Sequence, residues 1–436
     1  MAMIRPETEM KDSGIEYVGA IPNDWDLVRL RAYFGERKNK NKDGNETNLL
    51  SLSYGRIIRK NIDKTDGLLP ASFNTYNIVE KNDIIIRPTD LQNDKRSLRT
   101  GLVTEHGIIT SAYIDLMPIG NVDSRFVHYL LHSYDILKVF YNMGSGVRQG
   151  LNYSEFSKLK VPMPLLSEQQ AIADYLDETC SKIDEIIAEA KASIDEYKLL
   201  KESVITNITT HGFRDVSLID SGSLDIGMIP NTWSICKTLY GLTMPITDGP
   251  HVTPELLDDG IAFVSAEAVS CGHGSIDFNH MRGYISEEFY NECCKKYIPQ
   301  RNDIYMIKSG ATTGTVSIVD TDRKFTIWSP LAVFRVNRDR LIPKYLFYFL
   351  QSKPYQQQVQ LGWTFGTQQN IGMRTLEQLK ICMPPLVEQV EIVEYLDDKL
   401  PQIEFLIAEK ESLINDLEAY KKSLIYEVVT GKRRVV

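Results

Sequence analysis

The sequence contains one internal duplication, and this repeat limits the possible architectures more than any other feature. Residues 12–25 (DSGIEYVGAIPNDW) match residues 220–233 (DSGSLDIGMIPNTW) at eight of fourteen positions. Residues 159–189 match residues 379–409 at 15 of 31 positions. Both matches occur in the same order, and their offsets of 208 and 220 residues are far longer than a solenoid repeat. The sequence therefore predicts one unit that is present twice and related by a pseudo-two-fold axis.

Each half begins with a mixed segment in which short apolar, β-branched runs alternate with turn residues, a pattern typical of strands. Helical stretches are expected near residues 124–140 and 342–352. Together they predict an α+β domain in each half. The clearest strand-like runs are residues 83–86, 107–110, 316–319 and 331–334.

Each half ends with a segment whose apolar side chains form two rows with a seven-residue period, which is typical of a coiled coil. The segments predict two long helices that pair antiparallel, with the two domains at opposite ends of the resulting rod. Lys201 and Lys421 occupy equivalent positions in these rows, where they either fix the register or extend to solvent. The residues expected to form the coiled coil or to dock partners are Leu176, Ile183, Ile187, Ile194, Lys201, Leu396, Ile403, Ile407, Ile414 and Lys421.

The first long helix is predicted to begin with Ser167 as its N-cap and Gln170 three positions later, a capping-box pattern. The second helix has Val387 in place of the serine, so its start is expected to depend more on packing. The predicted order is a domain at residues 1–165, a helix at 166–210, a domain at 211–385 that opens with a linker at 211–221, and a helix at 386–436.

Composition indicates a globular protein of a reducing compartment. Hydrophobic residues make up 43% of the chain, no apolar run reaches the ~20 residues that span a membrane, and the first residues are polar. A cytoplasmic location is therefore expected. The six cysteines form no CxxC pair. A group close in sequence would suit zinc, but we expect buried thiols and scattered histidines and no metal site: Cys271, His273, His280, Cys293 and Cys294.

The net charge of −9 argues at first against a nucleic-acid ligand, but the distribution of charge does not. Residues 15–165 carry a net charge of +3 and residues 220–385 carry −1, whereas the two helical segments together carry −10. The acidity therefore lies on the helices. Any basic face for DNA must be local to the two domains.

The two repeated motifs resemble those of type I restriction-modification specificity subunits. The run from Ile21 to Trp25 is similar to the start of their target-recognition domains, and Met163 to Ile172 is similar to their entry into a coiled-coil helix. The second half repeats both motifs, and the segment from Ser309 to Gly314 is also similar. The resemblance covers nearly the whole chain.

The resemblance implies that each domain reads one half of a bipartite double-stranded DNA target. It also implies that the helices dock two modification subunits, which methylate adenine with S-adenosylmethionine. Restriction subunits that use ATP could join them in defence against foreign DNA. The chain itself is expected to hold no cofactor and to be non-catalytic. It lacks a GxxxxGK[ST] phosphate loop, and its one Pro-Pro pair, Pro384–Pro385, lies in the helix-entry motif.

Two pairs of matched polar segments are the candidate DNA contacts, because Arg and Lys bind phosphates and Arg, Gln and Asn read base edges. The first pair follows a strand in each half, and the second precedes each helix. Solvated hairpin loops and local turn caps are the alternatives. The candidates are Arg87, Gln92, Lys95, Arg96, Arg99, Arg148, Gln149, Lys308, Thr312, Thr313, Gln368, Gln369 and Asn370.

Two other functions remain open at the level of sequence. A coiled-coil scaffold that binds only proteins would share the helical rows but would have no DNA affinity. A self-sufficient methyltransferase or nuclease would bind its own cofactor, against which the missing motifs count.

Overall fold

The computed structural model describes residues 3–62, 72–89, 91, 98–143, 150–213, 216–365 and 369–435. The chain divides into two compact units. The first unit combines Met1–Ala190 with Ser412–Val436, and the second unit is Lys191–Glu411. Within the described ranges, no helix has the length and hydropathy needed to cross a membrane.

Both units mix short strands with helices. The strands up to the first long helix are β1 (Met3–Ile4), β2 (Met10–Asp12), β3 (Ala20–Pro22), β4 (Asp26–Arg29), β5 (Phe34–Glu36), β6 (Leu50–Ser53), β7 (Arg56–Arg59), β8 (Asn77–Val79), β9 (Ile84–Ile86), β10 (Thr100–Leu102), β11 (Gly107–Ile109), β12 (Ile114–Pro118) and β13 (Lys160–Met163). The helices of this part are α1 (Ser124–Ile136), α2 (Tyr153–Phe156) and α3 (Leu166–His211).

The second part of the chain repeats this order with insertions. Its strands are β14 (Leu218–Asp220), β15 (Met228–Pro230), β16 (Ser234–Lys237), β17 (Thr247–Asp248), β18 (Ile261–Val264), β19 (Gly283–Ile285), β20 (Ile304–Ile307), β21 (Val316–Ile318), β22 (Phe325–Ile327), β23 (Leu331–Phe334), β24 (Thr364–Phe365), β25 (Gln369–Asn370), β26 (Lys380–Met383) and β27 (Arg433–Arg434). Its helices are α4 (Ala266–Ser270), α5 (Glu287–Cys294), α6 (Pro343–Gln351), α7 (Lys353–Leu361), α8 (Met373–Gln378) and α9 (Leu386–Val429). Short 3-10 helices span Glu7–Glu9, Leu30–Ala32, Val139–Asn142, Thr238–Gly241 and Phe278–His280.

Each unit is built on antiparallel sheets, with one parallel pair in the second unit. The first unit has a four-stranded sheet in the order β10-β9-β12-β5. The second unit has a four-stranded sheet in the order β17-β23-β20-β21 and a three-stranded sheet in the order β19-β18-β22, in which β18 and β22 are parallel. Strands β9, β11, β21 and β23 lie within the four runs predicted from sequence, and α1 and α6 match the predicted helical stretches. The predicted α+β class is confirmed.

The long helices α3 and α9 pair antiparallel within each unit, as predicted. In the first unit Lys421 of α9 donates to Asp184 of α3 across 2.6 Å. In the second unit Lys201 of α3 bonds to Glu404 of α9. The two lysines are 220 residues apart, and so are the two acids, so the duplication preserves both partners. Each lysine of the apolar rows therefore pairs with an acid of the other helix.

The contacts that anchor the starts of α3 and α9 differ from the predicted cap. Helix α3 begins at Leu166, so Ser167 lies inside the first turn and is not the N-cap. The buried side chain of Gln169 satisfies backbone groups instead. Its oxygen accepts the N–H of Asp123 at 2.9 Å, and its nitrogen donates to the carbonyl of Pro164 at 2.9 Å. Because Gln389 does the same at the start of α9, the second helix does not lack an anchor.

A buried carboxylate next to the four-stranded sheet is held by arginine in both units, but the surroundings differ. In the first unit Arg37 donates two bonds to Asp83 at 2.7 and 3.0 Å. A second buried acid, Asp115, lies 3.9 Å from Arg37, and among the described residues its two carboxylate oxygens have no hydrogen-bond donor. Burial, and then the charge of Asp83, raise the pKa of Asp115 to about 8.

The equivalent arrangement in the second unit has one acid where the first unit has two. Asp303, the equivalent of Asp83, accepts two bonds from Arg335 at 2.8 and 2.7 Å and a third from the hydroxyl of Tyr297. The arginine comes from the residue after β23, whereas Arg37 follows β5. The duplicated aspartate is thus kept while its partner moves to another strand.

We predict that Asp115→Asn stabilises the protein relative to the native chain as pH rises. The folded protein holds the proton of Asp115 up to about pH 8, whereas the unfolded chain releases it near pH ~4. The free energy of unfolding of the native chain therefore falls across this window, by up to about 1 kcal/mol per pH unit, and the asparagine variant does not share this loss.

Urea unfolding at pH 5 and pH 8.5 measures the effect. Asp303→Asn is the matched control, because it breaks a satisfied pair and should cost about 3 kcal/mol at both pH values. An Asp115→Asn variant whose stability difference from the native chain does not change with pH would contradict the assignment of a buried proton.

Candidate nucleic-acid interface

In the second unit several strands end, or begin, at one common edge. The parallel partners β18 and β22 both end there, because Val264 pairs with Ile327. A three-residue turn then leads from β22 to the start of β23, and β20 ends opposite this start, where Ile307 pairs with Leu331. We call this region the loop edge. Its segments are residues 248–251, 281–282, 308–315, 328–330 and the hairpin β24–β25.

The structure brings the second-half candidates together at the loop edge. The carbonyl of Lys308 accepts the N–H of Ile371 at 2.9 Å, and the carbonyl of Gln369 accepts the N–H of Gly310 at 3.0 Å. Asn370 forms an antiparallel bridge with Ser309. The loop after β20 and the hairpin before α8, which lie about 60 residues apart in sequence, are therefore hydrogen-bonded neighbours.

The candidates at this edge differ in their exposure. Thr312 and Asn370 are exposed and Gln369 is half-buried. Thr313 donates its hydroxyl hydrogen to the carbonyl of Gly310 at 2.7 Å, so it stabilises the loop. The Lys308 side chain is 12% exposed, and its ammonium lies 3.4 Å from Asp248.

Asp248 is the residue at this edge that sequence reasoning missed. Its carboxylate is 1% exposed, and three cationic or titratable groups surround it: Lys308, Lys296 and, at 3.1 Å, His251. Gly249, next in the chain, approaches the backbone of Ile327 so closely that a Cβ would lie 2.1 Å from its carbonyl oxygen. The loop of Asp248 is thus held against the end of β22, and the aspartate fixes the cations around it.

The first unit has the same backbone connection at its equivalent edge. The N–H of Leu151 donates to the carbonyl of Pro88 at 3.0 Å, and both residues are 220 positions before Ile371 and Lys308. Arg87 follows β9 at this edge and is half-buried. Its N–H donates to the carbonyl of Arg99 at 2.8 Å. The duplicated frame therefore places an equivalent loop at the same point of each unit.

The structure corrects the assignment of Arg99. This side chain is fully buried, and its guanidinium donates to the carbonyl oxygens of Arg87 and Thr89. A buried guanidinium that is bonded to its own loop offers no donor to a phosphate, so Arg99 has a structural role in holding the loop. The remaining first-half candidates and one from the second half lie outside the described residues: Gln92, Lys95, Arg96, Arg148, Gln149 and Gln368.

Three pairs of repeated residues attach each domain to the first turns of its long helix. The indole N–H of Trp25 donates to Glu168 at 3.1 Å, and that of Trp233 donates to Glu388 at 2.8 Å. The second pair is the buried amides of Gln169 and Gln389 described above. These contacts account for the repeated Trp and Glu-Gln motifs.

The sequence Tyr-Leu-Asp, which occurs at residues 175–177 and again at residues 395–397, supplies the third contact. The hydroxyl of Tyr129 donates to Asp177 at 2.8 Å, and that of Tyr348 donates to Asp397. Burial, followed by this bond to a carboxylate, raises the pKa of Tyr348 well above its ordinary value. The hydroxyl therefore stays protonated and donates at any physiological pH.

The predicted rows of the long helices lie mainly in the interior of each unit. The best-buried members are Leu176 and Leu396, which are fully buried, and Ile407 and the two lysines are half-buried. A buried side chain is not available to a separate partner, so any docking surface must use other residues. The further buried members are Ile183, Ile187, Ile194, Ile403 and Ile414.

The cysteines and histidines of residues 271–294 make contacts other than those of a metal site. His280 bonds to Asp277 at 2.6 Å, and Cys293 is buried against the core. In the part of the chain that the structure describes, no three His, Cys, Asp or Glu side chains converge in a way that would hold a metal ion.

Comparison with known proteins gives one consistent family. Residues 35–196 and 265–415 match the family described as Type I restriction modification DNA specificity domain. The chain is 23% identical over 424 residues to the Type I restriction enzyme MjaVIII specificity subunit of Methanocaldococcus jannaschii, a match that covers 95% of this chain and 94% of the relative. It is also 23% identical over 283 residues to the EcoBI specificity subunit of Escherichia coli, covering 63% and 58% of the two chains.

Two solved structures share the fold. A chain from a study of complex assembly and conformational transition of the type I R-M system superposes with a TM-score of 0.69 at 16% identity, over 94% of this chain and 99% of that chain. The HsdS subunit from Thermoanaerobacter tengcongensis superposes with a TM-score of 0.51 at 16% identity, over 94% and 98% of the two chains.

Proposed function

The chain belongs to the type I restriction modification DNA specificity family, and we propose that each of its two units binds one half of a bipartite double-stranded DNA target. The proposal rests mainly on one observation: the loop edge of the second unit and the equivalent edge of the first unit share a backbone hydrogen bond. The bond from the N–H of Leu151 to the carbonyl of Pro88 in one unit matches the bond from the N–H of Ile371 to the carbonyl of Lys308 in the other. The loops themselves differ in length and side chains, as two readers of different sequences require.

The charges at the loop edge of the second unit suit a nucleic acid. Lys308 and Lys296 lie beside the one buried acid, Asp248, and exposed amide and hydroxyl groups of Asn370 and Thr312 adjoin them. Lysines bind phosphates through charge, and amides hydrogen-bond to base edges. A local cationic edge explains how a chain with a net charge of −9 binds DNA.

The chemistry is proposed to reside in partner subunits. The chain itself has no catalytic role in this proposal, and modification subunits supply S-adenosylmethionine and methylate adenine in the bound target. Restriction subunits would use ATP. The two domains, at residues 1–165 and 211–385, would choose the DNA on which these partners act.

The proposed docking surface for the modification subunits includes exposed apolar side chains of the long helices. In the second unit Leu199 and Phe405 are 66% and 62% exposed, and Leu200 and Leu406 adjoin them. The bond between Lys201 and Glu404 sets the antiparallel register, which puts these four residues at the same height on the two helices. Large apolar side chains that stay exposed at one height of a helix pair suit a protein contact.

We predict that Lys308→Ala weakens DNA binding about tenfold and lowers the slope of log affinity against log salt concentration by about one, because one phosphate contact is lost. Fluorescence anisotropy of the complex with its modification subunits, at several salt concentrations, measures both quantities. The matched control is Lys324→Ala, which removes the same charge just before the start of β22, away from the loop edge. If Lys308→Ala leaves affinity and slope unchanged, this edge does not bind DNA. If the unaltered complex has no DNA affinity, a protein-binding scaffold is the better description.

We predict that a chain with both Leu199→Asp and Phe405→Asp loses its modification subunits, with at least a tenfold decrease in their recovery on co-purification. Two charges in an apolar interface would remain desolvated and unpaired. Both residues are exposed, so circular dichroism should show unchanged helix content. Lys191→Asp, which adds an aspartate at another exposed position of α3, is the control. Full recovery of the modification subunits with the double variant would place their binding surface elsewhere.

A further inference from the structure

The guanidinium of an exposed arginine lies over the ring of a tryptophan at the loop edge of the second unit. The guanidinium carbon of Arg282 is 3.6 Å from the centre of the Trp328 ring. Trp328 is half-buried and Arg282 is exposed. Within the described ranges, no carboxylate or carbonyl oxygen accepts a hydrogen bond from this guanidinium. Its N–H groups therefore remain available while the ring contact holds the guanidinium in place.

Consecutive residues of one strand hold both members of the stack. The N–H of Arg282 donates to the carbonyl of Phe263 at 3.0 Å, and the N–H of Trp328 donates to the carbonyl of Val264 at 2.9 Å. Gly249 packs against the backbone of Trp328 from the other side. The backbone positions of the arginine and the tryptophan are thus fixed by the end of β18, and the ring fixes the side chain.

The stack lies beside the proposed DNA contacts. The turn that begins at Trp328 includes Pro330, whose carbonyl accepts the N–H of Lys308 at 2.8 Å. The acid of this edge is Asp248, and its carboxylate is already occupied by Lys296 and Lys308. Arg282 therefore has an unneutralised charge at an edge where the lysines are held by an acid.

Stacking favours one kind of contact over another. A lysine ammonium is a point charge that suits a phosphate, whereas the planar guanidinium donates two parallel bonds to a matching pair of acceptors. On DNA, the O6 and N7 atoms of guanine form such a pair in the major groove. Orientation by Trp328 lowers the conformational entropy that Arg282 would lose on binding.

We infer that Arg282, held on Trp328, reads a guanine in the half of the target that the second unit binds. The inference rests on the proposed DNA-binding function and adds a specificity-determining residue to it. Neither residue is marked by the sequence repeat, and they are 46 positions apart. Only the fold brings them together.

The test compares Arg282→Lys and Arg282→Ala in the complex with its modification subunits. Binding is measured on a library in which each base pair of the native target is varied in turn, and also on unrelated DNA. Both variants should lose about 10- to 100-fold in affinity for the native target. Both should lose discrimination at a single G·C base pair and keep it at the other positions. Affinity for unrelated DNA with the lysine variant should be unchanged, because the charge is retained.

The matched control is Arg323→Ala. Arg323 is an exposed arginine 4.5 Å above the ring of Phe278, but it precedes β22 whereas Trp328 follows it, so it lies away from the loop edge. The control should bind and discriminate like the native chain. A uniform loss on all sequences with Arg282→Ala, rescued by Arg282→Lys, would identify a phosphate contact and overturn the assignment of a base reader.

Unchanged binding with both Arg282 variants would also overturn the inference. This outcome is distinguishable from a failure of the proposed function. If Lys308→Ala still weakens binding while Arg282 has no effect, the second unit binds DNA and only the role of Arg282 is wrong. If neither matters and the native complex binds no DNA, the proposed function itself fails.

Discussion

A buried glutamine amide joins each domain to the first turn of its long helix, and the arrangement of the unit depends on it. Gln169 and Gln389 are 2% and 0% exposed, and each bonds to a backbone N–H of its domain and to a carbonyl just before the helix. An unsatisfied buried polar group costs about 1–3 kcal/mol, so both partners must stay in place. The indole bond to the preceding glutamate adds a second constraint, so the orientation of the domain on its helix is fixed by contacts that the duplication has kept.

The conserved frame and the variable edge are separate parts of each unit. The contacts that repeat between units include Trp, Glu, Gln, Tyr and Asp side chains at the junction of domain and helix, the lysine–acid bonds between the long helices, and one backbone bond at the loop edge. The contacts described at the loop edge of the second unit are not part of this repeated set. The stack of Arg282 on Trp328 and the cation cluster at Asp248 are found at the loop edge of the second unit. This division lets the loops change without disturbing the packing that supports them.

The sequence predicted the features that depend on local pattern and repetition. The α+β class, the strands such as β20 and β23, and the antiparallel pairing of α3 with α9 all follow from runs and periods that are visible in the chain. The Lys201 and Lys421 positions were recognised as equivalent, although their acid partners were not, because Asp184 and Glu404 are unremarkable in a helix rich in acids.

The features that the sequence did not predict depend on contacts between distant residues. The N-cap pattern at Ser167 was wrong, since the adjacent Gln169 satisfies the helix start through a tertiary bond that no local motif encodes. Arg99 was taken as a phosphate contact because it ends a polar loop, but the fold buries it and bonds it to the carbonyls of Arg87 and Thr89. Arg282 and Asp248 lie outside the two matched sequence segments, so only the structure relates them to Lys308.

The central claim is that each unit reads one half of a bipartite target, and exchanging the domains one at a time tests it most directly. The N–H of Leu30 bonds to the carbonyl of Leu159, and that of Thr238 bonds to the carbonyl of Leu379. The two ends of each segment to be exchanged are therefore adjacent, and the glutamate and glutamine at the start of each long helix lie outside it. Residues 30–159 or 238–379 would be replaced by the corresponding segment of a relative, and methylated adenines mapped in cells that contain the modification subunits. The account predicts that each exchange alters one half of the methylated sequence and leaves the other half unchanged. Alteration of both halves by a single exchange, or of neither half by either exchange in a chimera that still supports methylation, would contradict it.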